Sequence, residues 1–339
     1  MNKILGIAML SLMAACNDTG AGTENDNGAA LQITNGNKDI TVTMQNAAAD
    51  AMLIINGKPL DAASKTAPIV IDDSFLKPGV NDIWMVSGKD TIKETSFFSY
   101  KLEYQLVKEY KHDVTNFAQG FFIEGNVLYE STGLEGKSKI ARYQIGENDL
   151  TLINEVKNDP SIFGEGIAAV GNNLYQLTWE NHVVLEYDKT TLKKKNQFKY
   201  EHDGWGLTPN GDSLIASDGS EFLYFINPAK FEIYNQVAVK GEHGAVKQLN
   251  ELELVGNVVM ANVWQTNTIV FIDKNSGIVL ATADLSALAN SASQENPNRD
   301  VLNGIAYDAQ NGTFLVTGKL WTKVYRIKFD ETLNKLTGK

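Results

Sequence analysis

The chain has 339 residues, 43% hydrophobic and 21% charged, a composition of folded domains with room for about two of them. Net charge is −11 and the pI is near 4.9, which leaves little to neutralise phosphates and disfavours nucleic acid as a partner. Cys16 is the only cysteine, which excludes an internal disulfide, a thiolate zinc site and an iron–sulfur cluster. The four histidines (His112, His182, His202, His243) form no i, i+4 pair, so a histidine-built metal site is disfavoured.

Residues 1–15 read as a signal peptide, with Lys3 as the positive end and an apolar run over 4–14. Met13-Ala14-Ala15-Cys16 has the form of a bacterial lipobox. The plainer alternative is cleavage after small residues, with Cys16 incidental. We expect lipidation at Cys16, membrane contact by that anchor only, and residence in the bacterial cell envelope, on the periplasmic or surface face. Residues 16–30 are polar and rich in Gly, Asn and Asp, a composition suited to a flexible tether.

Residues 31–100 alternate apolar and polar side chains over 40–44, 51–55, 67–71, 82–87 and 91–98, with turn signals at Asn56-Gly57, Lys77-Pro78-Gly79 and Ser87-Gly88. This predicts a small β-sandwich, to which no chemistry is assigned.

From there the chain repeats itself. Segments starting at Phe117, Phe163, Gly204, Leu249 and Leu302 each carry a short strand, a Gly-containing turn and a second strand. Third strands follow at 139–144, 182–188, 222–227, 268–273 and 322–329, and fourth strands at 151–156, 192–198, 232–239 and 278–283. Four strands per 40–50 residues is the period of a β-propeller blade, so an all-β, five-bladed β-propeller is predicted over 101–330. The fifth repeat lacks a fourth strand. The spare strand at 102–110 is expected to supply it and close the ring, which removes an exposed edge. The polar stretch 286–299 is expected as an inserted loop.

Innermost strands line the axis of a propeller, so residues at one register meet there. Gln119, Glu165, Trp205, Glu251 and Asn303 stand at one such register, with Phe117, Phe163 and Leu249 two residues earlier and Asn250 beside Leu249. The ends of the second strands read Gly133, Trp179, Gly219, Trp264 and Lys319. A purely structural repeat needs only apolar or small residues at these places. The prediction is an aromatic-walled cup with a carboxylate, an ammonium and several amides, which suits a small polar ligand with an apolar stem.

At these same residues the chain resembles the plant-type glutaminyl cyclases, or glutamine cyclotransferases, also found in bacteria. The strings are His112-Asp113 with Phe117-Ala-Gln-Gly120, Leu128–Gly133, Phe163–Gly166, Gln176–Trp179, Gly204–Leu207, Leu249–Glu253, Ala261–Trp264, Asp300–Tyr307 and Gly318-Lys319. Ala118 departs from the usual Thr of the family, and Glu135 and Lys137 from Tyr and Gln.

The resemblance implies a five-bladed propeller and an enzyme that converts the N-terminal glutamine of peptides or proteins into pyroglutamate with release of ammonia. It implies Glu165 as the acid/base, with Gln119, Asn250 and Lys319 binding the carboxamide and peptide oxygens. Phe117, Phe163, Trp179, Trp205 and Trp264 would form the apolar wall, with Asn303 as a further substrate contact. Glu130, Glu251 and Glu253 are read as structural. No metal is required by this route; a Ca²⁺ ion on channel carbonyls would be structural. A monomer is expected. The competing readings are a non-catalytic, peptide-binding propeller lipoprotein and a metal-dependent hydrolase of propeller fold.

Overall fold

The structure is a computed structural model that describes residues 28–60 and 67–338. The expected signal peptide, Cys16 and most of the expected tether lie outside the described residues. The described residues divide into two compact units, one within 28–76 and 82–96, the other within 77–81 and 97–338.

The first unit is built on two antiparallel sheets, whose strands Gly79–Ser87 and Asp90–Phe98 each have one end in the second unit. One has Ala30–Asn35, Ile40–Gln45 and Ile69–Ile71; the other has Lys58–Leu60, Met52–Ile55, Gly79–Ser87 and Asp90–Phe98. Alternate residues are buried in both, Ile40 and Val42 in the first and Leu53, Ile55 and Ile83 in the second. That period of two is what a sheet with one buried face requires.

The second unit is built from five antiparallel four-stranded sheets. The first blade runs Ala118–Glu124, Val127–Thr132, Lys139–Ile145 and Leu150–Lys157. The second runs Gly164–Val170, Asn173–Thr178, Val183–Asp188 and Lys194–Lys199; the third runs Leu207–Asn210, Ser213–Ala216, Phe222–Asn227 and Glu232–Ala238. The fourth is Leu249–Val255, Val258–Val263, Thr268–Asp273 and Val279–Asp284, with Tyr100–Lys101 added in parallel at its edge. The fifth has Leu302–Asp308, Thr313–Gly318 and Lys323–Phe329 from the C-terminal end of the chain. Tyr104–Lys111 completes it, pairing antiparallel to the third of these strands. Each inner strand touches the next, and the fifth touches the first, so the ring is closed.

Apolar clusters between neighbouring blades hold the ring together. Tyr129, Ile167 and Leu185 pack between the first and second, and Ile215, Leu252 and Val270 between the third and fourth. Burial of each such side chain contributes on the order of 2 kcal/mol.

Two expectations need correction. The stretch read as a loop holds a helix, Ser286–Glu295, because Leu288, Ala289 and Ala292 fall on one face and are buried. In the fourth blade the register is shifted by one: Asn250, not Glu251, matches Gln119 and Glu165. Glu251 stands where the four other blades have glycine: Gly120, Gly166, Gly206 and Gly304. It is fully buried, and its two oxygens accept the backbone N–H groups of Phe121 (3.1 Å) and Ile305 (2.7 Å), linking three inner strands.

Candidate active site

In four blades the inner strand carries one more residue than its partner. The shifts lie between Ala118 and Gly120, Gly164 and Ile167, Leu249 and Leu252, and Leu302 and Ile305. These are β-bulges, which re-aim side chains that a regular strand would point elsewhere. Gln119, Glu165, Asn250 and Asn303 all fall within them. Gly120, Gly166 and Gly206 have no room for a Cβ, which would come within 2.5 Å of the neighbouring backbone. The inner strands therefore approach closely just where the polar side chains turn outward.

The result is a cavity of about 300 Å³ lined by Phe117, Gln119, Phe163, Glu165, Trp179, Trp205, Asn250, Trp264, Asp300 and Lys319. Nine of these were expected from the sequence; Asp300 was not. The one sequence signal was the family string that begins at Asp300; pairing of the Asp300 and Val301 main chain with Lys319 brings it to the wall. Asn303 does not reach the cavity. It lies fully buried and donates from Nδ2 to the Ala118 carbonyl and to Gln119 Oε1, both at 3.0 Å. Ala118 thus contributes its main chain, a contact that does not depend on the side chain at that position.

The aromatic walls form two groups. Phe163 meets Phe117 edge to face at 6.2 Å between centroids and Trp179 at 5.4 Å; Trp205 meets Trp264 at 5.6 Å. Small residues behind them make the room. A Cβ on Gly133 would lie 2.4 Å from the Phe163 ring, and one on Gly219 would lie 2.7 Å from Trp205.

Glu165 is 4% exposed, and its Oε1 accepts a hydrogen bond from Gln119 Nε2 at 2.9 Å. Asn303, Gln119 and Glu165 form a chain in which each amide fixes the next group. Burial holds the Glu165 carboxyl well above the usual carboxylate range, against the opposing pull of Lys319 and with a further push from Asp203. Lys319 is 5% exposed, and its Nζ sits 4.8 Å from the Phe117 ring centroid. Burial lowers its pKa, against the carboxyls of Glu165 and Asp300. No direct ion pair joins Glu165 and Lys319 among the described residues, although they face the same cavity. Asn250 is 3% exposed and its Oδ1 has no hydrogen-bond partner. An unsatisfied buried acceptor in a cavity wall is placed to take an N–H from a ligand.

Among the described residues no group of three or more His, Cys, Asp or Glu is arranged to hold a metal ion. In the channel both oxygens of Glu251 are taken by amides.

The family model described as glutamine cyclotransferase matches residues 83–329, which span every residue of the cavity wall. The chain belongs to the glutamine cyclotransferase family. A relative in this family, the glutaminyl-peptide cyclotransferase of Arabidopsis thaliana, is 37% identical over 236 residues, 69% of this chain and 73% of its own. The crystal structure of Myxococcus xanthus glutaminyl cyclase is 29% identical and superposes with a TM-score of 0.63, covering 69% of this chain and 99% of that one. The family match starts at residue 83, ahead of the closing strand Tyr104–Lys111, so it takes in the segment that completes the fifth blade.

Proposed function

We propose that this protein is a glutaminyl-peptide cyclotransferase, which closes an N-terminal glutamine into pyroglutamate and releases ammonia. The observation that carries the reading is the convergence of Glu165 and Lys319, from the second and fifth blades, on one aromatic cup.

The substrate supplies its own nucleophile. An α-amine has a pKa of about 7.7–8.0, so roughly a tenth is neutral near pH 7 and little activation is needed. Ring closure is intramolecular, and walls that hold the side chain folded supply much of the effect. The α-nitrogen attacks the carboxamide carbon, and negative charge develops on the oxygen. The ammonium of Lys319 is buried, so it stabilises that charge far better than it would in water. Collapse needs a proton on the departing nitrogen and the loss of one from the ring nitrogen. Glu165, kept protonated by its burial, gives its proton to the first and recovers one from the second. The carboxyl ends as it began, and the products are a pyroglutamyl peptide and ammonia. Gln119 holds the Glu165 carboxyl in place, and Asn250 Oδ1 takes an N–H of the substrate.

Export and anchoring through Cys16 are part of the same proposal, supported by the Met13–Cys16 string. Lipid labelling that survives Cys16→Ser would overturn the anchor.

The test of function is incubation of the purified protein with a glutaminyl peptide in the presence of EDTA. Release of ammonia with the matching loss of peptide mass is expected. A peptide bound but unchanged would make the protein a binding propeller, and turnover abolished by EDTA would require a metal.

A further inference from the structure

The cup must receive a substrate whose α-amine arrives mostly as an ammonium ion. It already holds one cation, Lys319, buried and without a hydrogen bond or ion pair among the described residues. A second cation entering beside it is repelled unless an anion faces it. Glu165 is poorly suited to that role, because its Oε1 is taken by Gln119 Nε2 at 2.9 Å and burial disfavours its charged form. The only other anionic residue in the wall is Asp300.

Asp300 is exposed but held firmly. Its N–H donates to the Lys319 carbonyl at 2.9 Å, and the Lys319 N–H returns a bond of 2.9 Å to the Val301 carbonyl. Its own carbonyl accepts from the indole N–H of the buried Trp321 at 3.0 Å. Its Oδ1 accepts the Val301 N–H at 2.6 Å, while Oδ2 takes no hydrogen bond from the described residues. One carboxylate oxygen is thus tied down and the other is free at the cavity wall, beside water.

We propose that Asp300 is the anchor for the α-ammonium group of the substrate and makes the cup selective for a free N-terminus. This rests on the cyclotransferase reading and names the group that recognises the amine. Asp300 takes the ammonium as it arrives; the amine attacks after its proton has passed to bulk solvent, to which Asp300 is exposed. With the ammonium at Asp300, the glutamine side chain lies folded against the aromatic walls with its carboxamide toward Glu165 and Lys319, and the peptide beyond it stays outside.

Asp300→Asn keeps an acceptor for the Val301 N–H and removes only the charge. For turnover of a glutaminyl peptide we expect KM to rise about tenfold, equivalent to about 1.4 kcal/mol, with kcat changed less than about twofold. Asp300→Glu should recover part of the loss. A second measurement does not depend on turnover. An asparaginyl peptide carries the same two groups but cannot close a five-membered ring, so its binding can be followed by calorimetry. The wild type should bind the free-amine form about tenfold more tightly than the N-acetyl form, and Asp300→Asn should erase that preference. Equal loss of affinity for both forms would mean that Asp300 merely balances Lys319, and would overturn the proposal. An unchanged KM in the variant would overturn it too. Wild-type protein that leaves glutaminyl peptides untouched would sink the cyclotransferase reading, while the calorimetry would still decide the anchor.

Discussion

Gln119 Nε2 donates to Glu165 Oε1 across 2.9 Å, joining two residues that each sit on the bulge of an inner strand, in neighbouring blades. Asn303 Nδ2, from a third bulge, holds the other end of the Gln119 amide. The chemistry therefore rests on a carboxyl whose position is set by the meeting of three blades.

Replacing Glu165 by Gln keeps the shape and removes the proton. A positioned acid/base contributes about 10²–10⁴-fold, so kcat should fall by at least a hundredfold while the melting temperature is preserved. Ammonia release measured beside thermal unfolding checks this. Full turnover would remove Glu165 from the mechanism.

The same carboxyl makes two pH predictions. Its pKa is raised by burial, so the acid form persists above the pH at which an exposed glutamate ionises. Activity should rise as the substrate amine deprotonates, near about 7.7–8.0, and fall where Glu165 ionises, giving a bell-shaped profile. For stability, the folded pKa lies above the unfolded value of 4.5. The stabilising contribution is complete below that unfolded value and is lost as pH rises through the folded one. Glu165→Gln should therefore gain stability relative to wild type in alkaline buffer, as unfolding in denaturant at several pH values would show.

Gly219 has φ +81°, and a Cβ there would press on Trp205. Gly219→Ala should cost about 1–3 kcal/mol from overpacking and displace one wall of the cup. A raised KM with a lowered melting temperature is expected. An unchanged KM would mean that Trp205 does not shape the substrate.

His112 follows the closing strand and lies buried at the seam between the last blade and the first. Its Nδ1 faces the Trp321 carbonyl at 3.0 Å and its Nε2 faces Glu130 Oε1 at 2.8 Å; Asn116 donates to the other Glu130 oxygen at 2.7 Å. Two facing acceptors favour an N–H on both ring nitrogens, the imidazolium form. Burial alone would lower its pKa; the Glu130 carboxylate and the Trp321 carbonyl outweigh burial and hold it above the ordinary 6.5. The stabilisation is complete below 6.5 and is lost as pH rises through the folded value. Glu130→Ala leaves a buried cation unpaired and should cost about 3–5 kcal/mol. Chemical denaturation on either side of neutrality should show wild type losing stability upward in pH and the variant losing much less.

Much of the molecule was legible from the residues alone. Strand, turn and strand recur because each blade alternates apolar and polar residues over a few positions, and that pattern is local. Counting it yields five blades, a missing fourth strand in the last and a spare strand at 102–110 to fill it. It also brings Glu165, Lys319 and the aromatic residues to one end of the channel, since equal registers of a closed ring must meet.

What the pattern could not decide was which neighbour in a register faces the cup. A bulge adds one residue and breaks the period of two, and its position depends on pairing with the second strand, which no local pattern contains. Hence Asn250 took the place expected of Glu251, and Asn303 turned behind Gln119 rather than toward the cavity. Asp300 belongs to no strand, and only the folding of the segment before the fifth blade against Lys319 brings it to the wall. The sequence determined the ring and the residues gathered near its axis. The tertiary structure alone selected the ones that touch the cavity, because long-range strand pairing and chain crossing, not periodicity, aim those side chains.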